Sequence, residues 1–132
     1  MATQTEYGIR RTVDLAYAAA VKRVHETLQA EGFGVLTEID IREKLREKLG
    51  VDFRRYIILG ACNPPLAHRA LQAEPEIGLV LPCNVIVYED GETRSVVAAF
   101  DPEVMLGVVD NPQLREIAVD AKKRLTRAVD AV

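Results

Sequence analysis

The chain has 132 residues, a net charge of −3 and a sequence pI of about 5.4. Its 48% hydrophobic and 28% charged fractions are typical of a packed globular chain and exclude intrinsic disorder. The basic residues alternate with acidic ones, as in Arg42-Glu43-Lys44, which predicts solvated helix faces with i,i+4 pairs and excludes the basic stripe of a nucleic-acid binder. No apolar stretch reaches the roughly 18 residues of a membrane span, and we expect no signal peptide because the first residues lack a basic-then-apolar pattern. We therefore expect a single cytoplasmic domain over residues 1–132, with neither a membrane nor a nucleic-acid partner.

The first half of the chain predicts three strands and two helices. Alternating residues predict strands at Tyr7–Val13 and Gly34–Ile41. A helix between them is expected to be capped by Asp14 and to stop at Gly32. Asp40 and Glu43 form a capping-box pattern ahead of a short charged helix that ends at Gly50, with Leu45 and Leu49 as its apolar contacts. The apolar run Tyr56–Ala61 predicts a strand that is buried on both faces.

The second half predicts a hairpin between helices. Asn63-Pro64 is a helix start with an Asn cap and a proline at the first position, and that helix runs to about Ala73. The hairpin turns at Asp90-Gly91, between strands at 84–89 and 94–100. Two further starts occur at Asp101-Pro102 and Asn111-Pro112, and an apolar stripe on the last helix should pack on the sheet. The order of elements predicts an α+β fold with a mixed, largely antiparallel sheet backed by helices on one face.

Two Cys-Asn pairs stand out, one at the helix start and one at a later strand start. Together with a histidine in the same helix they place polar groups within otherwise apolar segments, which is typical of a ligand pocket. The tentative ligand-binding residues are Cys62, Asn63, His68, Cys83 and Asn84. The structural alternative is that Asn63 is only a helix cap and that both cysteines are small buried side chains.

Cys62 also suggests thiol chemistry. A helix N-terminus and a nearby imidazolium both lower the pKa of a thiol, and His68 lies in the helix that follows. In the cytoplasm the two cysteines are expected to be free thiols, and the Cys-x-x-Cys redox spacing is absent. No zinc spacing, phosphate-binding loop or serine-nucleophile motif occurs, so we expect no metal and no cofactor, and catalytic residues are unknown. Asn63 leaves its helix start without a carboxylate, so a small anion or phosphate could bind there.

Three stretches carry a family resemblance over nearly the whole chain. They are 34–40, 58–64 and 77–85 with Tyr88-Glu89. In these stretches the chain resembles the bacterial and archaeal family named domain of unknown function DUF302. The resemblance implies a compact α+β domain with a helix-backed, largely antiparallel sheet that associates as a homodimer. It implies no reaction and supplies no catalytic residues.

Three functions follow from these observations. We expect a small-ligand binding or sensing domain with its pocket near the two Cys-Asn pairs. The first alternative is a homodimeric structural or interaction module that pairs through an edge strand at Tyr7–Val13 or through the hairpin. The second alternative is a thiol-dependent enzyme or redox protein that uses Cys62.

Overall fold

The computed structural model describes all 132 residues and contains one six-stranded sheet in the order β1-β2-β6-β5-β4-β3. Every pair of neighbouring strands is antiparallel. The strands are β1 (Thr3–Gln4), β2 (Gly8–Val13), β3 (Gly34–Asp40), β4 (Tyr56–Cys62), β5 (Cys83–Glu89) and β6 (Ser95–Phe100). The α+β fold predicted from the sequence is confirmed, and the sheet has no parallel pair.

The helices build two hydrophobic cores on this sheet. They are α1 (Tyr17–Ala30), α2 (Ile41–Leu49), α3 (Pro64–Ala73) and α4 (Leu114–Asp130), with short 3-10 helices at Pro75–Val80 and Pro102–Gly107. The larger core lies between α1, the second half of α4 and the sheet, and the smaller one joins α3, both 3-10 helices and the first half of α4. None of the helices is both long enough and apolar enough to cross a membrane.

Several helix ends follow the predicted capping chemistry. The Asp40 side chain accepts a hydrogen bond from the Glu43 backbone N–H, and α2 ends at Gly50, whose φ of +65° is the left-handed cap that glycine favours. The Asn63 side chain likewise accepts from the Leu66 N–H at the start of α3, with Pro64 at the first position. The predicted hairpin forms between β5 and β6, with Gly91 at a φ of +94°.

Two of the expected helix starts are wrong. Asp14 does not cap α1, which begins after Ala16 without any side-chain cap. Asn111-Pro112 forms a turn in which Asn111 Oδ1 accepts from the Gln113 N–H, and α4 begins two residues after the proline, at Leu114. In both places an Asp or Asn satisfies the capping pattern, but the turn geometry places it outside the helix.

The edges of the sheet also differ from expectation. Strand β2 is no free edge, because β1 pairs with it at Thr3–Gln4. On β3, which is the free edge at the other side, the register shifts between Val35 and Thr37, so the two predicted faces of this strand exchange at Leu36. The predicted apolar contact of Leu49 is absent, since this side chain is 69% exposed.

Candidate functional site

An apolar cavity of about 310 Å³ lies beside the end of β4 and the start of β5. Sixteen of its twenty lining residues are hydrophobic, and none carries a formal charge. The sheet contributes residues such as Ala61, Cys83 and Phe100, while α3, α4 and the 3-10 helices form the other walls. The site is therefore built to exclude charge, and Asn63 with the two thiols supplies its polar side chains.

Small residues on two facing helices leave room for this cavity. Ala67 and Ala70 on α3, and Ala118 and Ala121 on α4, all line it. A larger aliphatic side chain at these positions would close the space between the helices, because protein interiors normally pack without gaps of this size. Met105, on the second 3-10 helix, closes the cavity from another side and is 7% exposed.

Cys62 and Cys83 meet at this cavity from neighbouring strands. Cys83 pairs with Ala61 in the β4–β5 ladder, and Cys62 is the residue that follows Ala61 on β4. No bond joins the two sulfurs. Burial raises the pKa of the Cys83 thiol to about 11, and the nearby Cys62 adds to this shift. Cys83 is therefore a protonated, weakly nucleophilic thiol near neutral pH, which suits a cavity wall better than a catalytic nucleophile.

Asn63 lines the cavity, but its amide is already committed within the protein. The residue is 8% exposed. Its Oδ1 accepts from the Leu66 N–H at 3.3 Å, and its Nδ2 donates to the Glu31 carbonyl at 3.5 Å. These bonds hold the start of α3 against the end of α1. The helix-cap interpretation thus describes the principal contacts of this side chain.

The other two candidate residues lie elsewhere. His68 is exposed on α3 and is not among the residues that line the cavity. Asn84 pairs with Gly60 and lines a different groove, together with Tyr7, Ile86 and Tyr88. Of the five predicted residues, the structure brings Cys62, Asn63 and Cys83 to one cavity and leaves His68 and Asn84 outside it.

The mouth of the cavity is unusually apolar for an exposed surface. Leu36 and Leu71 line it and are 67% and 43% exposed. Leu79, between the lining residues Gly78 and Val80, is 86% exposed. Leu36 and Leu71 thus expose apolar surface at the same cavity, and contiguous exposed apolar surface marks binding or interaction sites more often than singly scattered side chains do.

Sequence reasoning missed the helical walls of this site. The α4 stripe was expected to pack on the sheet, and Leu125 and Ala128 do so, whereas Ile117, Ala118 and Ala121 face the cavity. The available signal was the alanine spacing on α3 and α4, which a packed helix pair and an open cavity share. Only the tertiary arrangement distinguishes the two.

The titratable side chains form no metal centre. No group of three or more His, Cys, Asp or Glu residues is placed to hold a metal ion. His25, on α1, contacts Glu38 of β3 with 2.7 Å between Nε2 and Oε1. This pair joins α1 to the edge of the sheet and lies outside the cavity.

The fold and the cavity define a helix-backed antiparallel α+β domain with an apolar cavity at one end of its sheet. The chain belongs to the family described as domain of unknown function DUF302, whose sequence profile matches residues 9–132. It is similar to a crystal structure described as an uncharacterized conserved protein DUF302 from Bacillus stearothermophilus. The two share 34% sequence identity and a TM-score of 0.87, over 96% of this chain and 98% of that one. A comparison with curated proteins found no match.

Proposed function

We propose that this protein binds a small, uncharged and largely apolar ligand in the cavity beside Cys62 and Cys83. The observation that carries the proposal is the absence of any charged side chain among the twenty lining residues. An ionised ligand in this space would lose its hydration without gaining an ion pair, which is strongly unfavourable. A sensing or carrier role fits this chemistry better than catalysis.

The dimensions of the cavity suit a compact molecule. Its volume of about 310 Å³ lies at the lower end of the range for small-molecule pockets. A ligand that buries about 200 Å² of apolar surface would gain about 5 kcal/mol before the cost of association. We therefore expect modest affinity for single-chain or single-ring molecules. The exposed leucines at the mouth provide an apolar entry.

The polar groups of the site set a limit on the ligand. The Asn63 amide is engaged with Leu66 and Glu31, and the Cys83 thiol is neutral. They can accommodate one uncharged polar group, such as a hydroxyl, but they do not select an anion or a cation. We also propose that the protein works in the cytoplasm, because both cysteines are free thiols and thiols stay reduced there.

A matched pair of variants on α3 tests the proposal. Ala67 lines the cavity, whereas the next residue, His68, is exposed and does not. Ala67→Phe should fill part of the cavity, and His68→Phe adds the same ring outside it. The readout is calorimetric titration with the uncharged single-ring probe n-propylbenzene, with circular dichroism to confirm folding. We expect wild type and His68→Phe to bind the probe alike and Ala67→Phe to bind it at least about tenfold more weakly.

Two results would contradict the proposal. The first is the absence of any saturable probe binding by the wild type. The second is equal binding by wild type and a folded Ala67→Phe variant, which would place the probe on another surface. Mass spectrometry under non-denaturing conditions on freshly purified protein would then show whether any compound is retained.

As a second function, we propose a homodimer formed through the sheet face opposite α1 and α4. On this face the ladder aligns Ile39, Ile58, Ile86 and Ala98 across four strands. None of these residues belongs to either hydrophobic core, and Ile39 is 42% exposed. A continuous apolar row in the middle of an open sheet face favours packing against a second sheet.

The dimer proposal is tested by molar mass. Light scattering of Ile86→Glu, which introduces charge into the row, should show a monomer where the wild type shows a dimer. Leu49→Glu is the matched control, because Leu49 is an exposed aliphatic residue on α2. A monomeric wild type, or a dimer that survives Ile86→Glu unchanged, would contradict this interface.

A further inference from the structure

A polar groove lies at the end of β4 that is remote from the apolar cavity. It is about 520 Å³ in volume and lies between the start of α1, the start of α2 and the residue before β4. Its polar lining consists of Tyr17, Asp40, Arg42, Glu43, Arg46 and Arg55. Three arginines from two separate segments therefore converge on one concave surface.

The arginines of this groove lack strong partners within the chain. Arg42 makes no ion pair, and its Nε is buried without any hydrogen bond. The Arg55 side chain makes no ion pair either, since only its backbone is engaged: its N–H donates to the Glu89 carboxylate and its carbonyl accepts from the Glu89 N–H. Arg46 reaches Asp52 at 3.5 Å in a largely exposed pair. A buried guanidinium N–H that has no acceptor is unusual, because buried donors are normally satisfied.

The nearby carboxylates are mostly engaged elsewhere. Asp40 Oδ1 accepts from the Glu43 N–H as the cap of α2. Just outside the lining, Glu38 contacts His25 and Glu89 accepts from the Arg55 N–H. The Glu43 carboxylate accepts no hydrogen bond and makes no ion pair within the chain, whereas Asp40 has only its backbone cap bond. Three guanidinium groups and two carboxylates line the groove, and Glu38 and Glu89 lie near enough to raise the pKa of Tyr17. The case for an anion therefore depends on the guanidinium groups that lack a carboxylate partner and not on a net charge.

Tyr17 adds a neutral donor to the same groove. Burial raises the pKa of its hydroxyl, and the negative charge of Asp40 raises it further, while the Arg55 charge opposes the shift. The hydroxyl therefore stays protonated at all ordinary pH values. It can donate a hydrogen bond to an oxygen of a ligand that lies between Arg42 and Arg55.

We propose that this groove binds the oxyanion group of a small ligand, either a phosphate or a carboxylate, through Arg42 and Arg55 with the Tyr17 hydroxyl as a further donor. A guanidinium presents a planar fork of donors that matches both groups, and neither the Arg42 nor the Arg55 side chain has a carboxylate partner within the chain that would compete with the ligand. This site is independent of the apolar cavity, whose lining holds no charged residue.

The experiment is a titration of the full chain with inorganic phosphate and, separately, with succinate, at matched ionic strength because exposed charges are screened by salt. The readout is the backbone amide spectrum by NMR. The variants are Arg55→Gln, Arg42→Gln and Arg42→Lys. The last keeps the charge but removes the fork and Nε. Arg54→Gln is the matched control, since Arg54 precedes Arg55 but lies over the Tyr88 ring, with its Cζ 5.4 Å from the ring centroid.

We expect saturable shifts around Tyr17, Arg42 and Arg55. Arg55→Gln and either Arg42 variant should each weaken binding by about tenfold, and Arg54→Gln should leave it unchanged. Binding of phosphate alone, or of both anions, would support the site and identify the group that it prefers. Failure of both anions to bind, equal weakening by Arg54→Gln, or shifts centred on the start of α3 near Asn63 would overturn the proposal.

Discussion

Replacing Asn63 by Ala separates a structural role from a ligand-binding role at the residue where the two interpretations compete. The side chain bridges two helix ends, accepting from the Leu66 N–H and donating to the Glu31 carbonyl. Asn63→Ala removes both bonds and leaves a buried cap position empty. Asn63→Asp keeps the acceptor but removes the donor, so the two variants divide the bridge into its parts.

The expected cost follows from these two contacts. Loss of an Asn cap costs about 1 kcal/mol, within a range of roughly 0.5–2 kcal/mol. The bond to Glu31, at 3.5 Å, is long and adds about 0.5 kcal/mol. Asn63→Ala should therefore lower the free energy of unfolding by about 1.5–2 kcal/mol, which corresponds to a fall in Tm of about 4–8 °C. Asn63→Asp should cost less, because a carboxylate at a helix N-terminus is favourable.

Urea denaturation followed by circular dichroism measures both variants, with unchanged m-values as the condition for comparing them. The predicted order of stability is wild type, then Asn63→Asp, then Asn63→Ala. A loss below about 0.3 kcal/mol for Asn63→Ala would refute the cap argument, since even weak caps exceed that value. If such a stable variant also lost binding of the apolar probe, Asn63 would be a ligand contact instead.

Three further predictions concern packing and ionisation. A Cβ at Gly60 would overlap Thr37 Oγ1 and lie 2.9 Å from the Pro82 ring, so Gly60→Ala should lower the free energy of unfolding by about 1–3 kcal/mol. In a double-mutant cycle Thr37→Ala should recover part of this loss, because it removes the overlapping hydroxyl. Additive losses would contradict the contact. Folding raises the pKa of Cys83 from 9.0 to about 11, so the folded state keeps the thiol proton at pH values where the unfolded state has lost it. The free energy of unfolding should therefore fall by up to about 2–3 kcal/mol as the pH rises from about 9 to about 11. This fall should be absent in Cys83→Ala, and a fall of the same size in that variant would assign it to other groups. The Lys122 ammonium lies 3.0 Å from Asp101 and 3.1 Å from Glu103. Lys122→Met should lower the free energy of unfolding in urea by about 1–3 kcal/mol, because the buried Asp101 would lose its cation. An unchanged midpoint would show that the other partners of Asp101 suffice.

The sequence predicted those features that depend on local chemistry. The caps at Asp40 and Asn63, the left-handed glycine at position 50 and the β5–β6 hairpin each follow from a few neighbouring residues, and the structure has them all. The Asp14 cap was wrong for a related reason. A capping residue is recognised by type, but its distance from the first helical turn depends on how the preceding strand ends, which no local pattern encodes.

The candidate site was predictable only in part. Cys62 and Cys83 lie on strands whose pairing is not written in their spacing, and their approach follows from the register between β4 and β5. Asn84 was grouped with Cys83 because it follows it directly, yet successive residues of a strand point to opposite faces, and Asn84 lines the groove on the other side. The arginine groove was missed because the alternating charges of α2 resemble a solvated helix face. Arg55 lies just before β4, and only the packing of α2 against β4 brings it next to Arg42 and Arg46.

The most direct test of the proposed function uses the two methionines of the chain. Met105 lines the cavity and is 7% exposed, whereas Met1 is 98% exposed and serves as an internal control. With methyl-labelled methionine, titration with decanol should shift the Met105 methyl signal in a saturable manner and leave the Met1 signal in place. Movement of neither signal, or equal movement of both, would contradict ligand binding in this cavity.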